Sequence, residues 1–363
     1  MRLLRSVAVA LCAASAFAGS PDPPFRAGVA TRAFRPEGPV NWRGARTHAL
    51  ITTIWYPVLR ATRTAPQWIG APDAPFASAG EAAPGAGMAP APRRFPVVLL
   101  SHGTGGSALM MAWLGVALAE RGYIAAAVNH PGNHALEPYT PQGFTLWWER
   151  ATDLSLVLDG LLADPLFGPR IDAARAGVAG FSLGGFTAIE IAGGVGTHDR
   201  YEQFCRSPRA DEMCREQVEF PDLREKLASL AADPEYQESV RGAGRSRRDP
   251  RVRAAFAIAP ALGPAFRAED LRRIAIPVAI VAGAADRVVP VESSARFFAA
   301  QIPRAQLKLY PGGVAHYTFL ATCTASGRKA QPVLCGDASG VDRDAIHADA
   351  AAEAVRFFDR RLR

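Results

Sequence analysis

The sequence predicts an α/β architecture: a mostly parallel central sheet with helices on both faces and an inserted cap. Three observations carry that expectation. Short, almost uniformly apolar runs recur at Pro96–Leu100, Tyr123–Val128, Ala176–Gly180, 252–259, 276–282 and 305–310, as strands buried on both faces require. Helical stretches at 107–121, 147–163, 183–192, 291–301 and 344–361 lie between or after them, the alternation that builds parallel sheets. The alternation breaks once. Residues 194–250 are polar, carry two cysteines and hold one expected helix near 222–232, after which the pattern resumes. That break reads as a cap inserted into a single domain over residues 19–363.

Ahead of the regular part, residues 27–35 and 48–58 read as strands rich in β-branched and aromatic side chains. Residues 71–94 are mostly Ala, Pro and Gly with almost no large apolar side chain, so a flexible insertion is expected there. The chain has no internal repeat.

Residues 1–18 have the layout of a signal peptide. Arg2 and Arg5 form a basic start, Val7–Phe17 an apolar run, and Ala16-Phe17-Ala18 a small-x-small cleavage pattern. The run is shorter than the ~20 apolar residues a membrane span needs. Leu11 before Cys12 is too bulky for a lipid-modified cysteine. An exported protein, periplasmic or extracellular and without a stable membrane span, is therefore expected. The formal charge of +7 on 363 residues is modest and interspersed with acidic residues, which points to solubility rather than a nucleic-acid footprint. The arginines at 241, 245, 247, 248, 251 and 253 read as a solvated end of the cap. Beyond Cys12, four cysteines remain. In an oxidising compartment they are expected to pair as Cys205–Cys214 and Cys323–Cys335, each closing a short polar loop. None has zinc-type spacing.

The chemistry centres on Gly180-Phe181-Ser182-Leu183-Gly184-Gly185, a G-x-S-x-G match where an apolar strand ends and a helix begins. A serine on such a strained turn is pushed out above the sheet, and the helix start offers N–H groups to a reacting carbonyl oxygen. A serine hydroxyl needs a base, and in this strand–turn–helix setting the partners follow in the order serine, acid, histidine. Of the two late histidines, His316 lies in a loop after a strand, whereas His347 falls within the last helix. His316 is the expected base. Asp286, directly after the 276–282 strand, is the expected acid, with Glu292 the fallback.

Ser101-His102-Gly103-Thr104-Gly105-Gly106 ends another buried strand, and the Thr104 N–H is expected to join that of Leu183 as an oxyanion donor. His102 reads as a residue that orders this turn. Asn129-His130-Pro131-Gly132-Asn133-His134 follows a third strand end; Pro131 and Gly132 rule out a helical zinc pair, so no metal is expected. His102, Gly103, His130, Phe181 and Trp147 are candidates for lining the pocket. Trp147 and Trp148 read equally well as core aromatics.

These motifs, with Asp286-Arg-Val-Val-Pro and Ala315-His-Tyr-Thr-Phe, resemble bacterial predicted dienelactone hydrolases of the α/β-hydrolase superfamily, and through them the platelet-activating-factor acetylhydrolases. The resemblance runs from about residue 27 to the C-terminus and is loose in the cap. It implies a triad of Ser182, Asp286 and His316, no cofactor, and a small-molecule ester or lipid substrate. Dienelactone hydrolase itself uses a cysteine nucleophile, which this chain lacks. The expected activity is cleavage of short-chain or phospholipid-type esters. A peptidase or amidase with the same triad, and a silent binding module, are the alternatives.

Overall fold

One sheet of ten strands organises the chain. The computed structural model describes residues 22–91, 93–215 and 219–363, so the expected signal segment 1–18 and Cys12 lie outside the described residues. In chain order the strands are β1 (Arg26–Phe34), β2 (Leu50–Val58), β3 (Ala65–Ala71), β4 (Ala74–Pro84) and β5 (Phe95–Ser101), then β6 (Ile124–Val128), β7 (Ile171–Phe181), β8 (Val252–Ile258), β9 (Val278–Gly283) and β10 (Ala305–Tyr310). Across the sheet they run β10-β9-β8-β7-β5-β6-β2-β1-β4-β3. Strands β5 to β10 are parallel, and β2 joins antiparallel to β6.

The apolar runs form these strands because both faces are covered. Along β5 and β6, Val97, Leu99, Ile124, Ala126 and Val128 enter one core, while Val98, Leu100, Ala125 and Ala127 enter the other. The period of two thus divides each run between the two cores, which a helix of the same composition could not do. Helices Glu149–Ala163, Leu183–Ile191 and Ala295–Gln301 cover the first face through Leu154, Val157, Leu158, Leu161, Phe186 and Phe298. Helices Ala112–Glu120 and Arg343–Leu362 cover the second through Leu114, Leu118, Phe357 and Phe358.

After β5 the chain pairs β6 on one side, then returns to lay β7 on the other side of β5. That reversal makes the carboxyl ends of β5 and β7 a topological switch point, where sheets of this kind open a crevice. Ser101 at the end of β5 is directly opposite Gly180 near the end of β7. The turn after β5 and the G-x-S-x-G turn are therefore neighbours by topology.

Among the described residues, 194–250 contribute no strand. They hold helices His198–Cys205, Leu223–Leu227 and Pro234–Arg241 between the helix after β7 and the start of β8.

The flexible insertion expected at 71–94 is corrected by the structure. Strands β3 and β4 pair as an antiparallel hairpin, and β4 also joins β1 through Gly28 and Ala83. Ala77, Ala79, Ala82, Ala83 and Ala89 are buried. The composition argument failed because a strand added to an existing core needs little area of its own. Its backbone is paired, including Ser78 N–H to Thr322 C=O at 2.9 Å, and a methyl group fills the narrow gap beneath. An Ala82→Asp substitution is accordingly expected to destabilise the protein by about 3 kcal/mol or more, as an unpaired carboxylate in a closed site does. A thermal melt reads this directly, and an unchanged midpoint would return the segment to a solvated loop.

Candidate active site

Strand β7 ends at Phe181, and the next residue adopts a backbone that L-amino acids rarely visit. Ser182 has φ +55° and ψ −118°, after which the helix Leu183–Ile191 starts. The glycines on either side are required by close approach. A Cβ on Gly180 would lie 2.1 Å from the Gly184 carbonyl oxygen, and one on Gly184 would lie 1.9 Å from that of Ser101. No side chain fits at either position. The turn is held from below by Ser182 N–H to Ile258 C=O at 2.9 Å and by Ala261 N–H to Ser182 C=O at 3.1 Å.

Above this turn the structure brings three of the sequence-derived candidates into one hydrogen-bonded chain. His316 Nε2 lies 2.9 Å from Ser182 Oγ, and His316 Nδ1 lies 2.7 Å from Asp286 Oδ2. All three residues are buried. The second carboxylate oxygen, Asp286 Oδ1, accepts the N–H groups of Val288 at 3.0 Å and Val289 at 2.8 Å. Asp286 is thus an acceptor on both oxygens, which makes Nδ1 the protonated nitrogen of His316 and leaves Nε2 to accept the serine proton. The ring of Phe181 tilts against His316 at 4.8 Å between centroids. Glu292 lies outside this chain and pairs with Arg296 at 2.8 Å.

The loop carrying His316 is braced from its far side. Thr318 Oγ1 accepts from Ala315 N–H at 3.2 Å and donates to Asp337 Oδ1 at 2.8 Å; Asp337 in turn pairs with Arg343 at 2.8 Å. His347 is not a rival base: its Nε2 donates to the Thr318 carbonyl at 2.9 Å, and its ring stacks on Trp113. The disulfide Cys323–Cys335 closes the segment that follows, and Cys205–Cys214 closes the start of the cap. Closing a loop of this length removes about 3 kcal/mol of unfolded-state entropy.

At the end of β5, Gly103 lies against the serine: a Cβ there would be 3.3 Å from Ser182 Cβ. Thr104 is the first residue of this turn with partial exposure. The Leu183 N–H is at the first helical position, where no intrahelical acceptor exists. The turn is clamped from the loop after β6, by Gly105 N–H to Asn133 Oδ1 at 3.0 Å, Tyr139 O–H to Gly105 C=O at 2.8 Å and Ala108 N–H to Asn129 Oδ1 at 2.7 Å. Phe220 of the cap packs on Tyr139 and Phe144 behind it.

Three pocket-lining expectations are corrected. His102 and His130 are fully enclosed, and Trp147 is buried against Phe186, His198 and Tyr201 beneath the cap. The two histidines are drawn inward by buried polar partners, and Trp147 by aromatic packing. A hollow of about 540 Å³ instead opens beside the loop after β9, lined by Glu212, Arg215, Asp286, Arg287 and Pro290. Sequence reasoning also missed Arg43, Arg150 and Asp153, which are buried behind the β5 turn. A signal for two of them existed. Arg150 shares a stripe with Leu154, Val157 and Leu161 and Asp153 is adjacent to it, so charges occupy the apolar face of their helix. Among the described residues no group of His, Cys, Asp or Glu could hold a metal ion, and no helix is long and apolar enough to cross a membrane. The two disulfides are compatible with export.

Comparison with known proteins decides the fold. The ferulic acid esterase from Streptomyces cinnamoneus superposes with a TM-score of 0.58, covering 95% of this chain and 92% of that one at 22% identity. The chain has the α/β-hydrolase fold. Residues 77–143 of this hydrolase-fold chain, from β4 through the β5 turn to the loop after β6, match the family model of platelet-activating factor acetylhydrolase, isoform II. No curated protein matches it in sequence.

Burial pushes the imidazoles of His102, His130, His134 and His347 below their ordinary value, His347 to about 4. They are neutral in the folded protein, whereas in the unfolded chain each takes up a proton as pH falls through ~6.5. Their contribution to stability is therefore complete above about pH 6.5 and lost progressively below it, roughly 3 kcal/mol by pH 4 from His347 alone. Melting temperatures recorded from pH 8 to pH 4.5 are expected to fall steeply below 6.5, and less steeply in His347→Gln. A flat profile would contradict this.

Proposed function

We propose that this protein is an exported serine carboxylesterase acting through Ser182, His316 and Asp286. The observation that carries the reading is the hydrogen-bonded chain from Asp286 Oδ2 through both ring nitrogens of His316 to Ser182 Oγ, on a serine with a left-handed φ. Such a chain activates a hydroxyl that is otherwise a weak nucleophile.

In the first step the Ser182 oxygen bonds to the ester carbonyl carbon while its proton passes to His316 Nε2. The carbonyl π electrons move onto oxygen, which the N–H groups of Leu183 and Thr104 receive. Asp286 keeps the imidazole oriented and offsets the charge of the imidazolium. Collapse of the intermediate breaks the bond to the alcohol, which leaves with the proton from Nε2. Water then repeats the sequence on the acyl-serine: it gives its proton to Nε2, releases the acid and returns the hydrogen to Ser182 Oγ.

The substrate class rests on two supports. The local likeness to the platelet-activating factor acetylhydrolase model points to small acyl groups on a phospholipid-type alcohol, and the structural likeness to a ferulic acid esterase is compatible with ester cleavage on this scaffold. Carboxylic ester cleavage is common to both, and the short acyl group rests on the first alone.

A fluorophosphonate is expected to label the wild-type protein on Ser182, and p-nitrophenyl acetate and butyrate to be hydrolysed faster than long-chain homologues. Ser182→Ala is expected to abolish labelling, and Asp286→Asn, which favours the wrong tautomer, to lower kcat on the order of 10⁴-fold. Absence of labelling in the wild type would sink the proposal. Turnover of peptide anilides without turnover of esters would redirect it to amide substrates.

A further inference from the structure

Behind the β5 turn lies a second serine–histidine–aspartate chain that no substrate can reach. Ser101 Oγ lies 2.9 Å from His130 Nε2, and His130 Nδ1 lies 2.7 Å from Asp153 Oδ2. Asp153 accepts from Arg43 Nη2 with both oxygens, at 2.9 and 2.7 Å. Ser101, His102, His130 and Arg150 have no exposed surface, and Asp153 is 1% exposed. The purpose of this chain is therefore not nucleophilic attack.

Its direction can be read from donor to acceptor. The Asp153 carboxylate accepts from His130 Nδ1–H, so Nε2 accepts the Ser101 hydroxyl proton. The lone pairs of Ser101 Oγ then face Arg150, whose Nη2 approaches at 3.4 Å and also donates to the carbonyl oxygen of His102. One residue further on, His102 Nε2 accepts the N–H of His130 at 3.2 Å. Its proton must then sit on Nδ1, which donates to the carbonyl oxygen of Gly103 at 2.7 Å. Two consecutive peptide planes are thereby held from their carbonyl ends. The first leads into Gly103; the second carries the Thr104 N–H.

A donor at a peptide's carbonyl oxygen both fixes the plane and polarises the N–H at its other end. When that donor is a cation the bond is roughly twice as strong as a neutral one. Arg150 is such a donor to the first of these planes, the one that ends at the Gly103 N–H, and it is costly to keep: its Nε and Nη1 have no partner among the described residues. Burial lowers it to about 9, which still leaves it charged at neutral pH. A buried guanidinium with two unsatisfied atoms is poor material for stability alone.

We propose that Arg150 is a positioning residue of the oxyanion turn: its bond to the His102 carbonyl fixes the peptide leading into Gly103, from which the next peptide, held by His102 Nδ1 and carrying the Thr104 N–H, continues, and the Asp153–His130–Ser101 chain fixes Arg150. The proposal rests on the reading of Ser182 as nucleophile and of Thr104 as oxyanion donor. Arg150 touches neither substrate nor the reacting atoms. Its loss should weaken the tetrahedral species and leave the ground-state complex unaltered.

The test compares wild type, Arg150→Met, Arg150→Lys and Ser101→Ala in three measurements: kcat and KM on p-nitrophenyl acetate, the inhibition constant of an alkyl trifluoromethyl ketone, and the melting temperature. The ketone adds Ser182 Oγ and places an oxyanion where the ester intermediate would. Arg150→Met is expected to lose about ten- to hundredfold in kcat with KM unchanged, and to bind the ketone more weakly by the same factor. Arg150→Lys is expected to recover part of both. Where Arg150→Met does not fold, Ser101→Ala carries the test, with a parallel loss of about threefold or more expected as the guanidinium loosens. Unchanged kcat and ketone binding in the folded variants would overturn the proposal, as would a loss of kcat with ketone binding intact. A wild type that neither turns over the ester nor reacts with a fluorophosphonate would remove the enzymatic reading and this inference together. An active wild type with an unaffected Arg150→Met removes only the inference.

Discussion

Backbone packed on backbone at the carboxyl ends of β5 and β7 is the constraint on which the site depends. The Gly184 Cα faces the Ser101 carbonyl at a separation that leaves no room for a methyl group, and Gly180 faces Gly184 in the same way. This contact forces Ser182 into a backbone with φ +55°, and the strain is held by hydrogen bonds to Ile258 and Ala261 on the neighbouring strand and its loop. It also sets Gly103 against the serine, so Ser182 and the turn after β5 share one rigid junction rather than being carried on separate loops. The parallel sheet supplies that junction: strands β5 and β7 are in register at Ser101 and Gly180, and buried helices on both faces prevent either from sliding.

His316 and Asp286 are held by different physics. Asp286 follows β9 directly and is fixed by the two N–H groups of its own turn, a local arrangement that needs no help from elsewhere. His316 follows β10 after a glycine-containing loop, and its local anchor, the Ala315 N–H to Thr318 Oγ1 bond, is itself held from further along the chain. Its position comes from Thr318, Asp337, Arg343 and His347, three of them beyond the Cys323–Cys335 disulfide or at its edge. The covalent link matters because these partners are separated in sequence from the histidine they orient; without it the same bonds would have to overcome the entropy of a longer free segment.

What could be read from the sequence follows the same division. Constraints between near neighbours in sequence leave local marks. The strand period, the two glycines around Ser182 and the loop position of His316 are such marks, and so are the apolar runs that became β5 to β10. The hairpin of β3 and β4 was illegible for the opposite reason. Its alanines carry little hydrophobic signal, and their burial is decided by β1, by the helix Ala112–Glu120 and by the isolated backbone pairing with Thr322 and Cys323, all distant in sequence. Likewise His102 and His130 stand in loop motifs that suggest a pocket wall, and only the arrival of Arg150 and Asp153 from the helix Glu149–Ala163 turns them inward. Trp147, at the start of the same helix, is claimed by Phe186 and the cap.

Burial acts on two fully enclosed ionisable groups of this face with opposite results. Glu190, on the helix that begins at the serine, is fully enclosed with neither carboxylate oxygen hydrogen-bonded among the described residues; burial pushes it up to about 8, so it is neutral at pH 7. Arg150 suffers the same penalty from a far higher ordinary value and remains cationic. Arg43 and Asp153 form a close pair that largely cancels. One buried positive charge therefore survives behind the turn. A developing negative charge on the far side of the Gly103–Thr104 peptide would meet that field through a low-dielectric interior, where it is screened much less than at a surface. The same desolvation that makes the cluster costly to fold is what would let it act on a reacting carbonyl.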